Sequence, residues 1–163
     1  MKDAVKQIID QYKISNQNAQ IGVITYGRYA TRAISIGEYT NKRSLLDAVN
    51  RLRNPGDGAR LDLGLNLASD MLKSVQESGV PQKLIVLMDQ KAVNDVLPSM
   101  TVLRENNVEI LVVGIGSEID STHIVDISNG NGQIITDGDD LVSIIIEIVQ
   151  TLTKGKSKIF LYL

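Results

Sequence analysis

Cysteine is missing from the 163-residue chain, which removes disulfides, thiolate metal sites and cysteine nucleophiles in one step. Tryptophan is missing as well and phenylalanine occurs once, so aromatics make up only 4% of the residues and stacking platforms for bases have little to be built from. Charge of neither sign prevails, with 17 Lys+Arg against 19 Asp+Glu. There is no basic excess or stripe, and nucleic acid is excluded as an expected partner. No apolar window reaches the roughly 18 to 20 residues of a membrane span. Met1-Lys2-Asp3 leads straight into a helical pattern instead of a signal peptide, so neither a membrane nor an export signal is expected of this chain. The compartment stays open, because secreted domains of this size do not require disulfides.

With 43% hydrophobic and 22% charged residues, the chain reads as one globular domain over 1–163, long enough to bury a core without metal or disulfide support. Val5, Ile8, Ile9 and Tyr12 share one face of a helix expected over 2–12. Strands are expected over 19–26 and 31–36. The second alternates polar and apolar residues, as a half-exposed edge strand does. Leu45, Leu46, Val49 and Leu52 mark a helix over 41–53 with Thr40 or Asn41 as its cap, and Pro55 with two glycines makes 53–60 a loop. A helix over 61–77, a wholly apolar strand over 83–88, a weaker helix over 92–106 whose start Pro98 delays or kinks, and an apolar strand over 109–115 follow. The pattern closes with a short helix over 120–128, a strand over 133–136, a strongly periodic helix over 139–153, a linker over 154–157 and an apolar strand over 158–163. Strands alternate with helices almost throughout, so the expected class is α/β with a mostly parallel sheet. The last strand is unusual. An apolar run without alternation suits a strand covered on both faces, yet such a strand normally feeds a functional loop and a helix. Here that segment is expected to have been lost, moved or never present.

In doubly wound sheets, ligands bind outside the carboxyl ends of the strands, which directs attention to 53–61, 89–92 and 116–120. Gly114-Ile-Gly116 follows a strand but lacks the third glycine and the opening helix of a dinucleotide loop, so close packing and a turn is the plain reading. His123 has no second histidine or cysteine near it in the sequence and reads as a surface or cap residue. Asp89 directly follows an apolar strand, a position that suits a metal-binding or substrate-binding carboxylate and equally a turn or cap aspartate. Asp57 and Asp62 flank the other loop, and either suits a cap for the helix starting near Leu61. No acid–base pair or activated nucleophile is visible, so no catalytic residue is assigned and no enzyme is expected.

Taken in order, Gln20-Ile-Gly-Val-Ile-Thr-Tyr-Gly27, Lys42-Arg-Ser-Leu-Leu-Asp-Ala-Val49, Arg60-Leu-Asp-Leu-Gly-Leu-Asn-Leu-Ala68, Lys83-Leu-Ile-Val-Leu-Met-Asp89 and Val112-Val-Gly-Ile-Gly116 resemble the successive elements of a von Willebrand factor type A domain. The resemblance implies a Rossmann-like, doubly wound, six-stranded sheet, mostly parallel with one antiparallel edge strand and helices on both faces. It also implies an adhesive or scaffolding role through a metal-ion-dependent adhesion site, in an extracellular setting. Against that pattern, residues 158–163 resemble the family's first, central strand, displaced to the other end as in a circular permutant, with 1–153 running from the family's first helix to its last. In the closest register Leu163 stands at the position of the first metal-binding aspartate.

The family's second-loop threonine aligns with Ala59, and its third-loop Thr-Asp-Gly with Met88-Asp89-Gln90. Asp89 is thus the one vestigial ligand, and no cofactor is expected beyond weak Mg2+ or Mn2+. Arg60 is expected beside Asp89, replacing the cation's charge, or else in solvent. The ligand-facing positions are then Asp57, Ala59, Arg60, Asp89 and Gln90. Three readings stay open: a metal-independent protein-interaction domain with an unidentified protein ligand, an engineered permutant or scaffold without a native ligand, and a fragment of a tandem protein of this type. A monomer and a strand-swapped dimer are both compatible with the pattern.

Overall fold

A computed structural model describes residues 1–53, 55–116, 119, 121–128, 132–135, 143, 146 and 157–162. Lys2–Asp10 forms helix α1, whose buried face of Ala4, Val5, Ile8 and Ile9 follows from their helical spacing. Strands β1 (Ala19–Tyr26) and β2 (Ala30–Ile34) pair antiparallel, with a register shift between Val23 and Ile24. Helix α2 (Lys42–Arg51) starts at Asn41, whose side chain accepts the Ser44 amide at 2.9 Å, so Asn41 is the cap. Helix α3 (Leu61–Ser74) and strand β3 (Gln82–Met88) follow, then α4 (Leu97–Glu105), β4 (Val108–Ile115), α5 (Ser121–Ser128), β5 (Gly132–Ile135) and β6 (Ser157–Tyr162).

The six strands form one sheet in the order β2-β1-β6-β3-β4-β5. All neighbours are parallel except the β1–β2 pair at one edge. The architecture is therefore the α/β, mostly parallel sheet that the pattern implies, with the one antiparallel edge strand that the resemblance implies. Position in the sheet explains the composition of the strands. β3 lies inside, and its alternate residues feed two different cores. Ile85 and Leu87 join Val5, Ile8, Ile9, Leu45 and Val49 beneath α1 and α2. Leu84, Val86 and Met88 join Leu65, Leu72, Met100, Leu103 and Ile124 beneath α3, α4 and α5. With both faces covered, a strand of this kind has no reason to alternate, whereas β2 at the edge leaves Thr31 and Arg32 exposed.

Several boundaries differ from expectation, among them the end of the helix expected over 2–12, which is Asp10, and the strand expected over 31–36, which spans Ala30–Ile34. The helix expected over 92–106 begins at Leu97, because Pro98 is accepted in the first turn of a helix but not in its interior. The helix expected over 61–77 ends at Ser74, and the one expected over 41–53 ends at Arg51. The helix expected over 139–153 lies outside the described residues apart from Ser143 and Ile146, which are helical. The expected linker lies outside them apart from Ser157, which opens β6.

The chain's last described strand runs through the middle of the sheet. Residues 157–162 of β6 pair with 19–24 of β1 on one side, and residues 158–162 pair with 82–86 of β3 on the other. Ile159 and Leu161 are fully buried in the core beneath α1 and α2. Lys158 is held by polar partners: its ammonium contacts the Gln20 amide oxygen and lies 3.8 Å from Glu77, and its backbone amide donates to the Pro81 carbonyl. One burial was not foreseen. Lys83, at the start of β3, is fully buried and lies opposite Glu109 of β4. Burial pushes its ammonium pKa down and the Glu109 charge opposes that shift.

Candidate functional site

The parallel strands end on one side of the sheet, and the loops beyond Tyr26 and Met88 meet there. Their contact is backbone to backbone. The Arg60 amide donates to the Gly27 carbonyl at 3.1 Å, and the Val93 amide donates to the Ala59 carbonyl at 3.2 Å. Residues 59–60 are thereby stitched between the β1–β2 turn and the segment following β3. Glycine is needed where the turn and the 55–60 loop touch. Gly58 has φ +116°, and a Cβ there would lie 2.9 Å from the Arg28 nitrogen.

Beside this junction lies a cleft of about 310 Å³, lined among others by Thr25, Tyr26, Arg53, Asp57, Asp89 and Gln90. Three of the expected ligand-facing residues, Asp57, Asp89 and Gln90, are together on its wall. The other two are placed differently. Ala59 is 1% exposed, its methyl turned into the protein. Arg60 closes its guanidinium fork on Asp62, with Nε and a terminal nitrogen donating to the two carboxylate oxygens at 2.8 and 2.7 Å. The expected pairing of Arg60 with Asp89 is not formed. A carboxylate two residues along, at the start of α3, is within reach of the same fork, and it claims both faces of it. The guanidinium beside Asp62 holds that carboxyl below the usual range. Neither Asp57 nor Asp62 serves as the cap of α3; Arg60 occupies that position without a side-chain cap bond.

Sequence reasoning missed Tyr26. Its hydroxyl donates to the Leu87 carbonyl at 3.2 Å, tying the end of β1 to the end of β3 across the cleft floor. Burial first, and the Asp89 charge second, raise its phenol well above the usual value. The signal was available, because Tyr26 is the last residue of a strand whose carboxyl end faces the site. His123 is explained structurally: its Nε2 accepts the Ala92 amide at 3.3 Å. Gly114 is a packing position, where a Cβ would lie 2.6 Å from the Ile119 side chain. Among the described residues, no group of three or more His, Cys, Asp or Glu gathers to hold a metal ion, and no helix is long and apolar enough to cross a membrane.

The sheet order, the edge strand and the cleft at the carboxyl ends coincide with a match of the von Willebrand factor type A domain model to residues 1–158. The chain belongs to that family. Collagen alpha-5(VI) of Mus musculus is 29% identical over 140 residues, which is 83% of this chain and 5% of that protein. Matrilin-1 of Gallus gallus is 21% identical over 123 residues, or 74% of this chain and 25% of the relative. Among solved structures, proximal thread matrix protein 1 from the mussel byssus superposes with a TM-score of 0.79 at 21% identity, covering 93% of this chain and 39% of that one. Another structure of the same mussel protein has a zinc-occupied metal-ion-dependent adhesion motif, with a TM-score of 0.76 at 23% identity and the same coverage. The type A domain thus spans a small part of each of these longer chains, and the structural likeness at this identity concerns the fold.

Proposed function

We propose that this type A domain is a non-enzymatic protein-interaction module that binds its partner through the loops around the cleft without a metal ion. The observation that carries the reading is the placement of Ala59. Where the resemblance puts the threonine ligand, this chain has a buried methyl, and the Ala59 carbonyl is already taken by the Val93 and Leu61 amides. Asp89 shares the cleft wall with the Asp57 carboxylate, the Gln90 amide and the Thr25 and Tyr26 hydroxyls, the last of them engaged with the Leu87 carbonyl, and with the cationic Lys2 and Arg53. Magnesium demands close to six oxygens in octahedral order at about 2.1 Å, and this donor set does not fit it. No step of binding is therefore routed through a metal. Asp57, Asp89 and Gln90 are the residues we assign to partner contact. Collagen and matrilin relatives favour an adhesive role in an extracellular matrix, with a protein as ligand.

Two features favour reading β6 as the family's first strand in a permuted order. It lies parallel between β1 and β3, and the family match stops at residue 158, just inside this strand. A piece of a tandem array is the second reading, favoured by the 5% share of the collagen relative that the chain spans.

Titration calorimetry with MgCl2 and MnCl2 tests the metal-independent reading. No saturable heat is expected up to millimolar metal, and partner binding should be unchanged by EDTA. Micromolar binding abolished by Asp89→Ala would overturn it.

A further inference from the structure

The wall of the cleft beside the loop junction carries the charged side chains Lys2, Arg53, Asp57 and Asp89. Two cations that could neutralise the carboxylates are engaged elsewhere. Arg60 closes its fork on Asp62, and the Lys2 ammonium donates to the Asn50 and Leu52 carbonyls at the end of α2, where the partial negative charge of a helix terminus offsets it. The amino end of α1 adds a partial positive charge, which Asp3 in its first turn opposes. Asp57, Asp89 and Arg53 are exposed and form no ion pair among the described residues. The wall thus holds two unpaired carboxylates against one unpaired guanidinium.

An independent feature lies at the same place. Thr25 is 7% exposed, and its hydroxyl has no hydrogen-bond partner among the described residues. Its neighbours in β1 fix its direction. Ile24 and Tyr26 feed the core beneath α3, α4 and α5, while Val23 feeds the one beneath α1 and α2. The Thr25 side chain therefore points to the α1–α2 side, where Leu52 and Arg53 line the cleft with it. A hydroxyl so placed costs free energy until a donor or acceptor in the cleft satisfies it. Burial, and after it the Asp89 charge, raises the Tyr26 phenol, which sets the Asp89 carboxylate close to the same strand end.

We propose that the cleft seats an arginine side chain of the protein partner, its guanidinium held between the Asp57 and Asp89 carboxylates and donating to the Thr25 hydroxyl. The inference rests on the metal-independent reading above, in which no metal ion supplies the positive charge. A guanidinium spreads several N–H donors over one plane and so serves acceptors on separate segments at once, which the compact ammonium of lysine does less well. Leu52 and Pro55 on the same wall give the aliphatic stem apolar cover.

The probe is N-acetyl-arginine-N-methylamide, titrated at low ionic strength into the isotope-labelled chain and followed by amide chemical shifts. Its neutral isostere N-acetyl-citrulline-N-methylamide and the corresponding lysine compound are titrated in parallel. The expected result is saturable shifts at Thr25, Asp57 and Gln90 with the arginine probe, weaker binding of the lysine probe and no saturable shift with citrulline. Asp57→Asn and Asp89→Asn should each weaken the arginine probe about tenfold, and Thr25→Val should weaken it by a smaller factor, with the amide dispersion of each variant showing that the fold is kept. Absence of saturable shifts up to the solubility of the probe overturns the proposal, as do equal responses to citrulline or lysine, or an unchanged affinity in Asp89→Asn. MgCl2 added to the same unsubstituted sample separates this failure from that of the parent reading: a saturable response to the metal overturns metal-independent binding, whereas silence towards both metal and arginine overturns the arginine seat alone.

Discussion

At the scale of single residues, the clearest cost in the fold is the Tyr12 hydroxyl, which is buried without a hydrogen-bond partner among the described residues. A buried donor left unsatisfied costs about 1–3 kcal/mol, so Tyr12→Phe is expected to stabilise the protein by about 1 kcal/mol in urea denaturation at neutral pH. A loss of stability would mean that the hydroxyl is satisfied. Burial, with a smaller push from Glu109, raises the Tyr12 phenol to about 12. Because the folded value lies above the ordinary one, the associated stability is intact below pH 10 and is lost as pH rises towards 12. Tyr12→Phe should flatten part of that alkaline decline, while Tyr26, also raised, keeps its share. Asp62 has the opposite sign. Its carboxyl is held below 3.8 by Arg60, so its contribution is present above that pH and disappears as pH falls through the lowered value. Asp62→Asn should therefore leave a shallower acid transition in a stability profile taken below pH 5; an unchanged profile would show that the pair is silent. Residue identity alone hid these partnerships. Arg60 has two carboxylates within plausible reach, and only the turn into α3 decides for Asp62 over Asp89. A lysine at the head of a strand, such as Lys83, reads as solvent-facing until the neighbouring strands cover it.

Among the elements, hydrophobic patterning was a sound guide to which strands lie inside and which lie at the edge. Unbroken apolar runs over 84–88 and 110–115, headed by Lys83 and Glu109, are covered on both faces, and the alternating 31–36 run supplies edge strand β2. The order of the strands was not legible from periodicity, because nothing in a run of apolar residues names its neighbour. That order came from resemblance to a family. Helix starts were legible where a cap marks them, as at Asn41, and not where the local propensity is weak, as before Leu97. For β6 the two fully buried side chains give a quantitative expectation. Truncating a fully buried leucine costs about 2–5 kcal/mol, so Leu161→Ala should lower the urea midpoint by a corresponding amount without a change in slope. A shift under about 1 kcal/mol would place Leu161 outside a packed core.

For the molecule as a whole, the loops at the carboxyl ends are held by backbone hydrogen bonds, and the proposed partner contact is assigned to the side chains of Asp57, Asp89 and Gln90 on the cleft wall. This division allows the loop chemistry to change while the scaffold stays the same, as the difference between Ala59 and a liganding threonine illustrates. The scaffold itself has a mechanical consequence. Pulled along its own axis, β6 must shear its ladders to β1 and β3 together, with hydrogen bonds on both flanks sharing the load. Pulling on β2 strains one ladder at the margin. A force entering through the central strand is thus divided between both half-sheets at the outset.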